Sequence, residues 1–256
     1  MLSTLLLLLS AYAGIFWNIH WSLKILCSIL AGLMMVRMFV IYHDYLHHAI
    51  LQNSFIANSL FTLFGLYILA PTGIWKRSHD YHHAHNSKLY TSSIGSFPTV
   101  TKKKFLASPL RDRNIYLFIR HPLTIAFGYI FAFVYGMCIL SLLRKPSQHW
   151  DSAISLIYHY CIGAIIFSLF GWQGIILGFL IPIVISHAIG SYLFYAQHNF
   201  PDATFKDKDG WTYVSAALNS SSYMKMGPVM RWFTGNIGFH HIHHVNARIP
   251  FYRLPE

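Results

Sequence analysis

Long runs of apolar residues, separated by polar and basic segments, dominate the chain. The first apolar stretch runs from residue 2 to about residue 39 and is interrupted by polar residues at 18–20. Because a membrane-spanning helix needs about 20 mostly apolar residues, this stretch predicts two spans, near 2–18 and 21–42, joined by a tight turn. A cleavable signal peptide over residues 1–19 is disfavoured, because the segment has neither a basic beginning nor a clear cleavage site.

Three more apolar stretches lie in the second half of the chain, at 122–143, 152–170 and 173–195, and a Gly-Trp-Gln-Gly turn separates the last two. An earlier stretch, at 55–70, ends at Pro71 and is short for a span. A segment of that length is more typical of a buried or interfacial helix than of a spanning one.

Basic residues indicate which side of the membrane the polar segments occupy. The segments 43–121 and 196–256 are rich in Lys and Arg, which concentrate in cytoplasmic loops. If both segments are cytoplasmic, an even number of spans must separate them. We therefore expect the stretch 122–143, which lies between Arg120 and Arg144, to be re-entrant or interfacial. The four predicted spans lie near 2–18, 21–42, 152–170 and 174–194.

The composition supports a membrane protein. The 256 residues are 55% hydrophobic and only 11% charged, whereas soluble domains average about 25% charged residues. The net charge of +11 does not predict a nucleic-acid partner, because the longest basic run is Lys102-Lys103-Lys104 and the basic residues lie between apolar segments. The three cysteines fall inside apolar stretches, so no disulfide framework is expected.

Histidine is the only abundant metal-ligating residue. The chain has 17 His but only eight Asp and Glu together, and its single glutamate is Glu256. Carboxylate-rich metal sites, paired-glutamate hydrolases and HExxH zinc proteases are therefore excluded. Any metal chemistry must rest on imidazole, which suits iron, zinc, copper and nickel.

Eleven of the 17 histidines lie in three short windows, at 43–48, 79–85 and 240–244, where a uniform distribution would place about one. Their spacings reduce to HxxxH, HxxHH and HxxHH. Residues at i, i+3 and i+4 share one face of a helix, so each window directs two or three imidazoles the same way. The predicted topology places all three windows on the cytoplasmic side, where eight histidines can converge on two metal ions.

These three windows, which we call box one (residues 43–48), box two (residues 79–85) and box three (residues 240–244), carry a family resemblance. The segments HDYLHH, RSHDYHHAHN, YAQHNF and GNIGFHHIHHVNARIPFYRL follow one another in this order, and with them the chain resembles the membrane-bound fatty acid desaturases, most closely the acyl-lipid delta-12 or omega-6 type. The resemblance implies one all-α integral membrane domain over residues 1–256, with about four spans and a cytoplasmic helical cap. The chain departs from the family at both ends, which are usually longer, so we expect a short natural form or a fragment.

The resemblance also implies a non-haem centre of two iron ions, with O2 as co-substrate and no catalytic residue beyond the metal ligands. Carried over by motif, the ligands would be His43, His47, His79, His82, His83, His198, His240, His243 and His244. Five further residues would lie around these ligands: Asp44, His48, Asp80, His85 and His241. A carboxylate beside a metal-bound imidazole orients it; the alternative role for the two aspartates is capping or a salt bridge with Arg77 or a neighbour.

The implied reaction is the O2-dependent introduction of a carbon–carbon double bond into a fatty acyl chain, either lipid-bound or on another acyl carrier. Acid–base chemistry cannot remove hydrogens from an unactivated CH2–CH2 pair, so a metal centre that activates oxygen is needed. The acyl chain would reach this centre through a narrow apolar tunnel. No cytochrome b5 signature occurs in the chain, so electrons would come from a separate donor such as ferredoxin or cytochrome b5. We expect a bacterial inner membrane location, with the endoplasmic reticulum as the alternative, and an active site on the cytoplasmic side.

Two alternatives stay open. The first is a hydroxylase or ketolase that acts on a lipid, sterol or carotenoid with the same histidine boxes. The second is a metal-binding or transport protein without catalysis. Transporters place polar ligands within their spans, where this sequence has few polar residues, His187 being the main one.

Overall fold

The computed structural model describes residues 1–89, 97–207 and 209–256, and this part of the chain is all-helical, with two isolated β-bridges and no strand. The helices are α1 (Leu2–Phe16), α2 (Trp21–Leu46), α3 (Phe55–Tyr67), α4 (Thr72–Ala84), α5 (Lys102–Ala107), α6 (Leu110–Phe118), α7 (Pro122–Ala126), π1 (Tyr129–Leu140), α8 (Ser141–Arg144), α9 (Trp150–Ile175), π2 (Ile176–Leu180), α10 (Ile181–Ala196), α11 (Tyr213–Ser220), α12 (Pro228–Phe233) and α13 (His240–Val245). The all-α prediction is thereby confirmed for the described residues.

Within the described residues, two helical stretches are long and apolar enough to cross a membrane. They are α2 and the continuous stretch Trp150–Ala196, and the bent α3–α4 pair would be a third if it formed one span. The helix α1 has only 15 residues, which is about 22 Å at 1.5 Å per residue. The apolar helix Tyr129–Arg144 is also shorter than a span. The count of four spans, and the re-entrant path of 122–143, therefore stay predictions.

The stretch Trp150–Ala196 reverses its direction at Gly171. This residue has φ 62° and ψ −157°, which are not helical values. The rings of His159 and Phe179 lie 4.7 Å apart, although a straight helix would separate them by about 30 Å. The chain thus forms two antiparallel helices that meet within the Gly-Trp-Gln-Gly sequence expected to form a turn.

Gly171 should be hard to replace. Its backbone conformation belongs to a region that is accessible essentially only to glycine, and forcing another residue into it costs about 1–3 kcal/mol. Because no atom lies within 4 Å of the position that a Cβ would take, the cost of Gly171→Ala is purely a backbone cost. We expect this variant to unfold at a lower temperature in detergent, whereas Gly227→Ala, at φ −64° and equally open space, should stay close to the parent. Equal unfolding temperatures would contradict the strained turn.

A sharp bend, which we call the elbow (residues 68–71), joins α3 to α4 at 87°. The last carbonyls of a helix have no partner within the helix, and buried carbonyls need one. Here five consecutive carbonyls, of residues 66–70, each lie next to a polar side chain from another element. The pairs are Ser155 with Leu66 at 2.7 Å, His159 with Tyr67 at 2.5 Å, His187 with Ile68 at 2.9 Å, Cys138 with Leu69 at 3.6 Å and Tyr42 with Ala70 at 2.8 Å. The elbow is thus fixed by α2, π1, α9 and α10, and it fixes in turn the direction of α4.

The helices α2 and α10 run side by side in the same direction. The Ser28 hydroxyl donates to the Leu177 carbonyl at 2.6 Å, and the rings of Phe39 and Phe194 lie 6.2 Å apart further along both helices. Box one at the end of α2 and the segment after α10 are therefore delivered to the same end of the bundle.

Candidate metal centre

The nine histidines predicted as ligands come together in two groups at this end of the bundle. In each group the ligand nitrogens lie within 4.8 Å of one another. The five-histidine group contains His43, His47, His79, His83 and His243. The four-histidine group contains His82, His198, His240 and His244. The structure thus brings every predicted ligand into one of two neighbouring sites, while metal binding itself stays a prediction.

Two helices contribute to both groups. On α4, His79 and His83 are one turn apart and face the five-histidine group, whereas His82 faces the four-histidine group. On α13, His240 and His244 have the same spacing and face the four-histidine group, whereas His243 faces the other. The HxxHH pattern therefore serves two sites from one broad helix face, because at 3.6 residues per turn its i+3 and i+4 members lie on opposite sides of the i member, about 100° apart. The expectation that each window directs its imidazoles the same way is corrected to this extent.

The distances between Nε2 atoms suit ligands of a shared ion. In the five-histidine group, His43 and His79 are separated by 2.8 Å, His79 and His83 by 3.1 Å, and His83 and His243 by 3.1 Å. In the four-histidine group, the Nε2 of His198 lies 3.0 Å from His82 and 2.9 Å from His240. Zinc–imidazole bonds are about 2.0–2.1 Å long, so two ligands at right angles around one ion stand roughly 3 Å apart.

Hydrogen bonding alone does not account for these contacts. A neutral imidazole nitrogen carries either one proton or one lone pair, so it makes one good hydrogen bond. The Nε2 of His83, however, has two Nε2 neighbours. The buried Nε2 of His47 has no hydrogen-bond partner among the residues that the structure describes. At His198 the ring Nδ1 lies 3.0 Å from the Ser220 carbonyl, so Nδ1 carries the proton and Nε2 keeps a free lone pair. The donor set therefore fits imidazole-bound metal ions.

Burial disfavours the charged form of five of the rings, His47, His198, His240, His243 and His244. It lowers the pKa of His47 to about 2 and the pKa of His198 to about 4, and the Ser220 carbonyl opposes the second shift. Burial, together with the neighbouring imidazoles, also lowers the pKa of each of the three box-three rings in the two groups. Neutral imidazole is the form that binds metal, so the sites are prepared for an ion near neutral pH.

Asp44 joins the first box to the C-terminal segment. The carboxylate is 1% exposed; its Oδ1 lies 3.3 Å from the Nδ1 of His43, and its Oδ2 accepts a hydrogen bond of 2.6 Å from the Phe251 backbone N–H. A carboxylate on the far nitrogen of a metal-binding imidazole fixes the ring and raises its basicity. Asp44 therefore lies where the sequence predicted a supporting carboxylate.

The other four residues expected around the ligands lie further out. The exposed Asp80 pairs with Lys76 at 2.8 Å, which matches the alternative salt-bridge role. His48 is exposed, and His85 stacks on Tyr81 with the ring centres 4.0 Å apart. The ring centre of His241 lies 5.9 Å from that of Tyr223. None of these four belongs to the two groups.

The aspartates provide a matched pair of variants. We expect Asp44→Asn to weaken metal binding by about 10–100-fold, the usual effect of losing a partner that orients a ligand, because one amide cannot accept from both His43 and Phe251. Asp80→Asn should leave metal binding unchanged, since exposed ion pairs contribute little. Metal analysis after titration with a chelator measures both effects. Equal retention by the two variants would remove the orienting role of Asp44.

An apolar pocket lies beside the predicted metal ligands. The sequence predicted an apolar tunnel but not the residues that line it. The pocket lies between α2 and α10 and reaches His43, His79, His82, His198 and His240. Trp75 stacks on His79, with the ring centres 5.0 Å apart, and also on Phe194. The pocket also contains His187, the main polar residue that the sequence places within a predicted span. His187 precedes His198 by 11 residues, about three helical turns, and this spacing is the signal that could have revealed it.

Comparisons with known proteins agree with the family resemblance of the sequence. The family model described as fatty acid desaturase matches residues 19–256. A fatty acid desaturase of Bacillus subtilis is 29% identical over 93% of this chain and 68% of its own length. A chloroplastic omega-6 fatty acid desaturase of Brassica napus is 28% identical over 91% of this chain and 53% of its own length. An sn-1 oleoyl-lipid 12-desaturase of Synechocystis sp. is 24% identical over 95% of this chain and 69% of its own length.

Proposed function

The chain belongs to the fatty acid desaturase family, and from this premise we propose that it introduces a carbon–carbon double bond into a fatty acyl chain in an O2-dependent reaction. The observation that supports this most strongly is the pair of all-histidine groups at one end of an apolar pocket. The chain spans between about half and about two thirds of the length of the relatives named above.

The nine histidines would hold two iron ions, one in each group. Bound iron would supply the O2 activation that no amino-acid side chain provides. Two hydrogens leave adjacent carbons, O2 is reduced to two water molecules, and a donor supplies two electrons while solvent supplies two protons. The protein contributes the ligands, the orientation of the acyl chain and a pocket that excludes water.

The pocket suits an extended apolar chain. Apart from the histidines that are proposed as ligands, the side chains that line it are mostly aliphatic and aromatic, including Met35, Phe39, Phe133 and Leu193. Apolar pockets of this kind bind apolar ligands through burial, while a few polar groups fix the orientation. An acyl chain bound in this pocket would place some of its CH2 groups next to the proposed metal ligands. An acyl lipid is the proposed substrate, in keeping with the Synechocystis relative, whose name specifies an sn-1 oleoyl-lipid.

The proposed topology has four crossings: α1, α2, residues 150–170 and residues 172–196. The metal centre would then lie on the cytoplasmic side, because the basic polar segments lie at that end. We place the protein in a bacterial inner membrane, with the endoplasmic reticulum as the alternative. A separate donor, ferredoxin or cytochrome b5, would deliver the electrons, and its acidic surface would suit the net charge of +11.

The decisive experiment is expression in a host with simple lipids, followed by gas chromatography and mass spectrometry of the fatty acids. A new product two hydrogens lighter than its precursor is expected. A product with one added oxygen would instead identify a hydroxylase or ketolase. A preparation with bound metal and no altered lipid, even when a ferredoxin and its reductase are supplied, would leave a non-catalytic metal-binding protein.

Metal identity needs its own control. Imidazole sites bind zinc more tightly than ferrous iron, so a zinc-loaded preparation would be folded and inactive. Desaturation should therefore follow the iron content of the preparation and not its total metal content.

A further inference from the structure

The inner end of the pocket, remote from the proposed metal ligands, is lined by buried side chains. Four of them come from four elements: Met35 of α2, Ile68 of the elbow, Phe133 of π1 and His187 of α10. Each is at most 4% exposed. Just beyond them α2 and α10 touch, since a Cβ on Gly32 would lie 2.9 Å from Ile185. The two helices are therefore in close contact at that level.

We call these four side chains the floor of the pocket. His187 is its polar member, and its two ring nitrogens contact different groups. Its Nε2 lies 2.9 Å from the Ile68 carbonyl, to which a neutral imidazole donates its single N–H, while its Nδ1 lies 3.1 Å from the Ser186 hydroxyl. The ring of Phe133 packs edge-on against it, with the centres 4.3 Å apart. An imidazole that is fixed in this way is a rigid stop, whereas an aliphatic side chain at the same place could change rotamer and yield to a ligand.

The floor lies at a fixed distance from the metal ligands. On α2, eight residues separate Met35 at the floor from His43 at the five-histidine group, which corresponds to about 12 Å along the helix. The elbow ties His187 to α4 as well, which carries His79, His82 and His83. One contact therefore joins the end of the pocket to the helix that supplies three of the proposed ligands.

From this geometry we infer that His187 sets the depth to which an acyl chain enters, and thereby which carbons face the metal centre. The inference rests on the proposed function. It makes His187 a specificity-determining residue and not a catalytic one, because it lies at the opposite end of the pocket from the ligands. The buried floor suits the methyl end of the acyl chain, because burying a polar lipid head group there would cost free energy.

The test uses two substitutions with opposite effects on depth. His187→Ala removes the stop, so the double bond should move away from the methyl end and longer chains should be accepted. Gly190→Ala adds a methyl group one turn nearer the metal centre, where it fits 3.7 Å from Phe133, and should disfavour longer chains. One methylene in an apolar pocket typically changes discrimination by about 10-fold or more, so the product ratio for two chain lengths should change by that order, in opposite directions.

Two matched variants separate pocket depth from the stability of the elbow. His159 is also buried and lies against the neighbouring carbonyl of Tyr67, but it does not line the pocket. His159→Ala should lower the unfolding temperature without moving the double bond. His187→Gln keeps an N–H donor and much of the length of the ring, so it should restore the parental bond position.

Bond position and chain-length ratio, measured by mass spectrometry of the products, decide the inference. It is overturned if desaturation continues with parental positions and ratios in both His187→Ala and Gly190→Ala, or if His159→Ala moves the bond as far as His187→Ala does. If His187→Ala does not accumulate, the chain-length ratio of Gly190→Ala decides alone.

A readout without turnover keeps this inference distinct from the proposed function. Fatty acids of increasing length should raise the unfolding temperature of the purified protein up to a limiting length. That limit should be greater in His187→Ala and smaller in Gly190→Ala. An unchanged limit in both variants would refute the depth-setting role even if the wild-type protein made no unsaturated product, an outcome that would count against desaturation itself.

Discussion

Replacement of His83 by alanine should abolish desaturation while the protein still inserts into the membrane. The Nε2 of His83 lies 3.1 Å from the Nε2 atoms of both His79 and His243, so it links box two to box three within the five-histidine group. Its loss removes a ligand and leaves a cavity that water can fill. Activity in membranes and iron content of the purified protein measure the effect, and we expect background activity and a clear loss of iron.

The same result is expected for His47→Ala and His244→Ala, which remove one ligand each from box one and box three. His20→Ala provides the control, since His20 caps the opposite end of α2 and is separated from His43 by about 35 Å of helix. That variant should be nearly silent in activity. Retained desaturation in any of the three box variants would argue against a shared metal centre, and a complete loss in His20→Ala would overturn the topology.

The second large effect is expected from His198→Gln. His198 lies outside the three boxes, yet its Nε2 is within 3.0 Å of those of His82 and His240, and its Nδ1 donates to the Ser220 carbonyl. Glutamine could keep one hydrogen bond, but an amide is a far poorer metal ligand than a neutral imidazole. We expect desaturation to be lost, together with about half or more of the bound iron, because the four-histidine group would retain three ligands.

His149→Gln is the matched control for this variant. His149 lies in a basic loop, where its Nδ1 accepts a hydrogen bond of 3.0 Å from Arg77, and it belongs to neither histidine group. It should keep both its metal and its turnover. If purified His198→Gln also keeps both, His198 is an ordinary buried histidine and the centre is built from the three boxes alone.

The fold was predictable where it depends on local pattern. Apolar length placed α1 and α2, and glycine in the sequence at 171–174 marked the reversal between the two later helices. The elbow was not predictable, because its five carbonyls are satisfied by side chains that are distant in sequence, such as Tyr42 and His187. The apolar stretch 55–70 indicates that a short segment is buried there, but it does not indicate the 87° bend.

The sequence by itself indicated which residues compose the candidate site. Histidine spacing within a helix is a local property, so the boxes and their shared faces followed from the 3.6-residue period, and His198 followed from the family resemblance. Only the tertiary structure decided how the nine rings divide into five and four, with α4 and α13 serving both groups. It also decided that Asp44 contacts His43, a proposed ligand, while Asp80 contacts none, and that His187 lies in the pocket. The physical reason is that a helix period fixes directions relative to one axis, whereas the angles between axes are set by long-range packing at the elbow and along α2 and α10.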